Sequence, residues 1–495
     1  MINKLIYDIL IIGAGPAGLS SGYILSQNKN LRIKIIEDNK KYVGGISRTE
    51  QFKGYRFDIG GHRFFSKSKE INDLWDKILP NDFLERKRKS RIFFKNKFYN
   101  YPLDAVEVIL NLGMIESLFC FCSYIKSKVS PKKNPKSFHD YIYNNFGERL
   151  YKNFFKTYTE KVWGISCDDI SADWAAQRIK NLDLYKLILS TIRSFFFRKS
   201  VSNKQKIIKT LIDKFKYPTH GPGMMWEKTA ETLKKNNIEI DLGVKSTEYH
   251  FKKKLNVWKT KCVKDENVFE IESKIIISSA PLREVALNIL PELNSRLEAN
   301  KLKYRDYIIV ALLLKNKPVF DDNWIYIHEP SVNVGRIQNF SAWSENMTPE
   351  PNMGCIGMEY FCNENDKFWN MKDNDLGQLA INEIKKLNLI KSEQITDYYI
   401  IRQKKAYPVY DETYKIAVKK ISDEIETLSK SFFLVGRNGM HKYNNQDHAM
   451  MTGILTAKNI LAGKKLYNVW GVNEDAEYLE TEESELRLTP KKINS

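Results

Sequence analysis

Six cysteines in 495 residues, none in a Cys-x-x-Cys pair, leave this chain without a disulfide framework or a zinc-finger spacing. Only Cys120 and Cys122 are near neighbours; Cys167, Cys262, Cys355 and Cys362 stand apart. Such usage suits a reducing cytosol. No uninterrupted run of about 18 apolar residues exists, which excludes a membrane-spanning helix. The most apolar candidate, MIESLFCFCSYI at 114–125, is short and holds Glu116, so it reads as a half-buried helix. Proline and glycine are too sparse for low-complexity filler. No repeat of roughly 20–50 residues is present. The sequence also lacks a Ser-His-Asp signature, a metal-ligand spacing and any zinc-finger or RNA-stacking signature, so neither a metal nor nucleic acid is expected. The apolar run of MINKLIYDILIIGAGPAG leads into a glycine motif rather than a cleavage site. It therefore reads as a buried strand, not a secretion signal, and the expected location is cytoplasmic.

What is there is a globular composition, 42% hydrophobic and 28% charged, in a chain longer than one compact core usually absorbs. Two or three units sharing one body are expected. Lys and Arg total 79 against 60 acids, a net charge of +19. Two readings compete. One is compositional, since Lys, Ile and Asn are used heavily throughout; the other is an anionic substrate such as a nucleotide sugar or phosphate.

The most specific local signal is LIYDILIIGAGPAGLSSGYILSQ. Residues 5–12 read as a central parallel strand, followed by Gly13, Gly15 and Gly18 in GxGxxG spacing. The first glycine allows the tight turn, the second lets backbone approach a pyrophosphate, and the third lets helix and strand pack closely. Pro16 suits the first helical turn, and the free N–H groups there, with Ala17 and Gly18, attract phosphate. A second strand, LRIKIIED, delivers Glu37 about 20 residues past the glycines, where a carboxylate fits a ribose hydroxyl. The stretch YVGGISRTEQFKGYRFDIGGHRFF then adds Gly44 and Gly45 with Arg48 nearby, and Gly60 and Gly61 before His62. Glycine pairs so soon after the acid resemble the FAD-binding class shared by amine oxidases, phytoene desaturases and sugar mutases. They let backbone lie against an isoalloxazine or its ribityl chain; the plain alternative is hairpin glycines.

Further along, residues 66–215 carry helical periodicity with aromatic stripes, as in SFHDYIYNNFGERLYKNFFKTYTEKVW. FKYPTHGPGMMWEKTAETLKKNNIEIDLGV reads as turn, helix and short strand ending at Val244, where this FAD class meets adenine through backbone. KIIISSAPL is a second buried strand, 304–410 alternate in strand fashion, and 431–463 read as strand, glycine turn and closing helix. The expected fold is α/β. A discontinuous Rossmann-type FAD domain (1–65, 216–300 and 425–465) is threaded by a mainly helical insert (66–215) and a sheet-rich substrate domain (301–424), with a charged tail at 466–495. The basic aromatic stretch 193–216 is a candidate for peripheral membrane contact, or equally a solvated helix pair.

FFKTYTEKVWG at 154–164 is too polar for a core strand and too aromatic for a solvated loop. Its Tyr158, Thr159, Lys161 and Trp163 resemble the Tyr-Thr-x-Lys-Gln-Trp segment of the UDP-galactopyranose mutase family, with Val162 at the Gln. In the family's order follow Arg178 in SADWAAQRI, Arg336 in GRIQNF, Tyr407 in KKAYPVY, and Gly436, Arg437, Tyr443 and Asp447 in GRNGMHKYNNQDHA. Departures are Phe65 at the family's second histidine, His441 at its first closing Tyr and Asn445 at its first closing Asp. The resemblance implies pyranose–furanose interconversion of a UDP- or dTDP-sugar in cell-surface polysaccharide synthesis. It implies a covalent adduct between sugar and reduced-flavin N5, with NAD(P)H as a possible external reductant. Catalytic candidates are His62, Arg178 and Arg336. Substrate candidates are Tyr158, Trp163, Arg178, Arg336, Tyr407 and Tyr443, since two arginines can grip a pyrophosphate and tyrosines add neutral donors. FAD candidates are the opening glycines, Glu37, Arg48, His62, Val244, Gly436, Arg437, Asn445, Gln446 and Asp447. The plain alternatives are structural ion pairs for the arginines and core packing for Trp163 and the tyrosines. The competing function is an FAD oxidoreductase of amine oxidase, desaturase or protoporphyrinogen oxidase type, because one fold hosts both.

Overall fold

The computed structural model describes residues 5–101, 103, 105–172, 174, 214–473 and 492. Arg178, residues 193–213 of the basic aromatic stretch and nearly all of the tail beyond 473 lie outside them.

Strand β1 (Ile6–Ile12) has its last four residues fully buried, the pattern of a parallel strand covered on both faces. It pairs in parallel with β2 (Ile33–Glu37) on one side and β12 (Asn267–Ser278) on the other, and β2 continues to β9 (Glu239–Leu242). The first half of β12 pairs antiparallel with β11 (Val257–Lys264). That strand pairs with β10 (Lys245–Lys252), which carries the short β13 (Ile289–Leu290) at the edge. The last three residues of β12 take β19 (Phe432–Leu434) in parallel. This sheet thus gathers strands from three separated parts of the chain. Helix α1 (Pro16–Leu25) packs on it; a Cβ on Gly18 would sit 1.9 Å from the Gly13 carbonyl oxygen, so only glycine permits this approach of helix to turn. Helices α2 (Lys69–Ile78), α7 (Gly223–Lys235) and α9 (Gln446–Leu461) complete the same core, with Trp75, Trp226 and Met450 at its centre.

The second sheet is built around β14 (Tyr304–Leu314), buried from Arg305 onward. Its residues alternate as a strand must. Ile308, Val310 and Leu312 face helix α8 (Asp373–Lys386), while Tyr307, Ile309 and Ala311 face Phe57, Phe340 and Trp343. Strands β18 (Ile395–Pro408) and β17 (Gly354–Cys362) flank it antiparallel, followed by β16 (Arg336–Asn339) and β15 (Trp324–Ile327). Helix α8 interrupts the stretch that alternation alone marks as strand. Residues 83–100 differ from the helical expectation. They form β5 (Phe83–Lys87), β6 (Ser90–Phe94) and β7 (Lys97–Asn100), and β6 pairs in parallel with β15, extending the second sheet. Strand β5 pairs with β8 (Lys214–Pro218). A small hairpin of β3 (Thr49–Phe52) and β4 (Tyr55–Asp58) leads from the first sheet towards the second.

Against this body lie α3 (Ala105–Leu112), α4 (Met114–Val129), α5 (Phe138–Leu150) and α6 (Thr157–Trp163). A π-helical turn at Tyr151–Lys156 feeds α6, and Gly164 ends it in the left-handed conformation at φ 66°. Ser137 caps α5 through a reciprocal capping box with Asp140. Among the described residues no helix is long and apolar enough to cross a membrane.

Candidate functional site

The turn after β1 and the helix it opens make a dinucleotide-binding frame. Gly15 caps α1 without a side-chain hydrogen bond, and Pro16 occupies the first turn. A Cβ built on Gly15 would meet only the 44–45 backbone, at 3.8 Å or more. The two glycine stretches therefore pack backbone against backbone. Glu37 ends β2 with both oxygens engaged, one accepting from Ala14 N at 2.7 Å and the other from Asn39 N at 2.9 Å. Burial pushes its pKa above the usual carboxylate range. Val244 is buried, and its N–H donates to the Glu37 carbonyl at 2.9 Å. Arg48 is held inside, donating to Glu50 at 2.8 Å, to the Gly45 carbonyl at 3.0 Å and to Gln403 Oε1 at 2.7 Å. It thereby ties the second glycine stretch to β18. Across the frame, Gly436 lies against Ala17, and Asn445 caps α9, which begins with Gln446 and Asp447. These fittings agree with a dinucleotide-binding turn, because bare glycine backbone opens α1 and leaves its N-terminal N–H groups without a side-chain cap.

The loop after β4 meets the second sheet at Gly60. With φ 89°, it adopts a conformation that side chains disfavour, and a Cβ there would come 3.1 Å from Tyr307 Oη, 3.7 Å from His62 Nε2 and 3.8 Å from Arg336 Nη2. Gly61 next to it faces open space. His62 donates from Nε2 to the Ile59 carbonyl at 2.7 Å, which leaves Nδ1 as an acceptor 3.4 Å from Ser47 Oγ. Burial, with the Arg437 charge, pushes its pKa down to about 3, so the ring is neutral near neutral pH. Gln446 reaches the same loop, donating to the Arg63 carbonyl at 2.9 Å. Its Oε1 and the Tyr307 hydroxyl are buried and find no hydrogen-bond partner among the described residues. Two orphaned polar atoms beside an open glycine mark a place for a polar ligand. Tyr307 was not legible as a site residue: inside YRDYIIVALLL it reads as core.

Arg336 projects from β16 and forms an ion pair with Glu359 of β17, at 2.6 Å from Nη2 and 2.7 Å from Nε. Glu359 is fully buried and also accepts from Gln338 Nε2 at 2.6 Å. The Arg336 charge acts on Tyr158, Tyr326 and Tyr407. Tyr407 stacks on Tyr443, centroids 5.7 Å apart and planes 15° from parallel. Burial pushes its hydroxyl up to about 12, so it stays a neutral donor. Arg437 lies over both rings, 4.9 Å from that of Tyr443 and 5.5 Å from that of Tyr407. Its N–H groups go to the Asn444 and Ala406 carbonyls, at 2.9 and 3.0 Å. The structure thus brings together His62, Tyr158, Arg336, Tyr407, Tyr443 and Arg437; Arg178 is outside the described residues.

Segment 157–164 is bolted to the second sheet. Lys161 Nζ donates to the Glu329 carbonyl at 2.7 Å, to Val334 at 3.2 Å and to Ile327 at 3.5 Å, and burial pushes its pKa down to about 8. Arg305 of β14 donates to the Val162 carbonyl at 3.0 Å and to Phe361 at 3.0 Å, capping the end of α6. A Cβ on Gly164 would collide with that guanidinium. Trp163 is 3% exposed and packs edge-on against Trp174 at 5.0 Å and Tyr407 at 6.4 Å. Its place is in the core behind Tyr407. The lysine and tryptophan of the motif hold the segment in position, and Tyr158 is the member that reaches Arg336. Arg305 carries no motif and was not foreseen.

The comparisons bear on this frame. Residues 11–78 match the model of the NAD(P)-binding Rossmann-like domain. A solved structure of reduced UDP-galactopyranose mutase superposes with a TM-score of 0.82 at 21% identity, covering 96% of this chain and 99% of the other. The chain has the fold of UDP-galactopyranose mutase. A putrescine oxidase structure superposes less closely, with a TM-score of 0.61 at 15% identity over 93% of this chain and all of the other, and so shares the general architecture. In sequence the chain is similar to dTDP-fucopyranose mutase of Escherichia coli, 26% identical over 181 residues, 33% of this chain and 44% of that protein. The matches span less than half the length of the curated relatives. With this fold and turn, the chain carries a Rossmann-type dinucleotide-binding domain.

Proposed function

We propose that the chain binds FAD and interconverts the pyranose and furanose forms of a UDP- or dTDP-sugar. The observation that carries this reading is the convergence of Arg336, Tyr158, Tyr407 and Tyr443 beside the open Gly61 and neutral His62, in a chain with a mutase fold. FAD would be held by the α1 N-terminus at Gly15 to Gly18, by Glu37 at the ribose, by the Gly44–Gly45 turn with Arg48, by Val244 at the adenine, and by Gly436 with Asn445, Gln446 and Asp447. Reduced FAD there would supply the nucleophile toward the anomeric carbon. The protein's part is position and charge. Arg336, kept in a fixed rotamer by Glu359, offers its remaining N–H groups to a pyrophosphate. Tyr407 and Tyr443 present neutral hydroxyls, which add donors without charge. Neutral His62 keeps an acceptor at Nδ1. Arg178 would supply a second phosphate contact. Such a substrate suits a cytoplasmic role in cell-surface polysaccharide synthesis.

The test is to incubate purified protein, with flavin oxidised and then reduced, against a panel of UDP- and dTDP-sugars. Ring interconversion only with reduced flavin, without net reductant consumption, is the expected result. NAD(P)H consumption or peroxide formation in step with turnover would instead place the chain with the oxidoreductases, a reading that the putrescine oxidase likeness keeps as the alternative.

A further inference from the structure

Helix α4 is inside out. Its inward face carries Glu116, Cys120, Ser123, Tyr124 and Ser127, and Glu116 is taken up by Arg149 and Asn153 at 2.7 and 2.9 Å. Its outward face is apolar. Met114, Leu118, Phe121, Ile125 and Val129 recur at three- and four-residue spacing, with Ile115 and Phe119 beside them, and Leu110 of α3 continues the patch. Met114 and Val129 are 83% and 80% exposed, and no contact among the described residues covers them. Sequence periodicity marks α4 as amphipathic, and a helix packed on a protein core turns its apolar side inward. Here the sense is reversed. A contiguous exposed apolar face of this kind marks an interaction site.

The charges around the patch select the partner. Between residues 95 and 136 the sequence has seven lysines and three carboxylates. Lys95 and Lys97 at the β6–β7 turn, Lys126 and Lys128 in the last turn of α4, and Lys132 and Lys133 beyond it are all exposed. Of the acids nearby, Glu116 is paired with Arg149, Glu107 accepts from Asn100 N at 2.7 Å, and Asp140 pairs with Lys132 at 2.7 Å, so the remaining lysines keep the rim positive. Two copies of this chain stacked on this face would bring like-charged rims together. With 16 residues, α4 is about 24 Å long, too short to span a bilayer but suited to lying in its surface. We propose that α3 and α4 form a docking face for an anionic lipid surface: the outward apolar stripe enters the headgroup boundary while the lysine rim meets the lipid phosphates. Such docking would hold the catalytic body beside the membrane, independently of which reaction it performs.

Cys122 provides a built-in probe, being exposed on this face while the other five cysteines are buried. Full-length protein carrying its dinucleotide, labelled at Cys122 with an environment-sensitive fluorophore, is mixed with phosphatidylcholine vesicles with or without phosphatidylglycerol. The expected result is a blue shift and flotation only with phosphatidylglycerol, weakened by salt. The double variant Leu118→Glu with Phe119→Glu should abolish both, with flavin content unchanged. Each of Lys126→Gln and Lys133→Gln should weaken binding about fivefold. The proposal is overturned by no flotation with either vesicle, by equal flotation of the double variant, or by a blue shift that tracks protein concentration without lipid, the sign of a second copy.

Discussion

The ring of Tyr158 lies flat on that of His328, centroids 5.0 Å apart and planes 5° from parallel. This contact joins α6 to the loop after β15, the same loop whose Glu329 and Val334 carbonyls receive Lys161. His328 is buried, and burial, with the Lys161 charge, pushes its pKa down to about 3. The stack is therefore between two neutral rings near neutral pH, and it sets Tyr158 within reach of the Arg336 charge.

A pH dependence follows. In the unfolded chain a histidine takes up its proton near pH 6.5, whereas His328 and His62 do so only near 3 when folded. The unfolded state then binds more protons between those values. Stability from these two groups is fully present above about pH 6.5 and is lost as pH falls towards about 3. Urea unfolding of wild type and His328→Phe at about pH 7 and about pH 4.5 is the check. The variant should lose less stability on acidification; an identical pH slope would mean that His328 is not a buried neutral group.

Two glycines of the opening turn should fail differently. Gly18→Ala places a Cβ 1.9 Å from the Gly13 carbonyl oxygen, so it should disturb the fold itself. Gly15→Val has room for its Cβ, but its methyl groups crowd the backbone where a pyrophosphate would approach, so it should fold and lose the dinucleotide. Circular dichroism beside flavin absorbance separates the two. Stoichiometric FAD retained in Gly15→Val would remove the cofactor assignment.

Arg336 has a structural duty besides its proposed one. Arg336→Met leaves the Glu359 carboxylate buried without its ion-pair partner, which typically costs about 3–5 kcal/mol. The double change Arg336→Met with Glu359→Gln should recover much of that stability without recovering UDP affinity. Denaturant titration and UDP titration followed by flavin fluorescence report the two quantities separately. If the double variant binds UDP like wild type, Arg336 belongs to the core alone.

Trp163→Ala should cost about 3–5 kcal/mol, the usual range for removing a large buried aromatic. UDP affinity should weaken only as far as Tyr407, which packs against the indole, is displaced. An unchanged denaturation midpoint with weakened UDP binding would show instead that the indole faces the ligand.

Much of this protein can be read along its length. The run from Ile6 through Gly18 to Glu37 specifies strand, turn, helix and acid through contacts between near neighbours, and the folded chain pairs β1 and β2 as that run requires. The ordered series Tyr158, Arg336, Tyr407 and Tyr443 was likewise legible, because each sits in a short motif. Less legible was the direction in which a periodic segment turns: α4 shows the same helical spacing whichever side faces inward.

The sequence by itself determined the dinucleotide turn and the identities of the tyrosines and arginines around the site, since these rest on local geometry and side-chain chemistry. Only the tertiary structure decided their partners. Glu359 meets Arg336 through the register of β16 against β17, Lys161 finds carbonyls more than 160 residues away, and Tyr307 becomes a site residue because β14 passes beneath Gly60. The reason is physical: a strand's register and a buried cation's ligands are fixed when distant segments close on one another, and no short window of sequence contains both sides of such a contact.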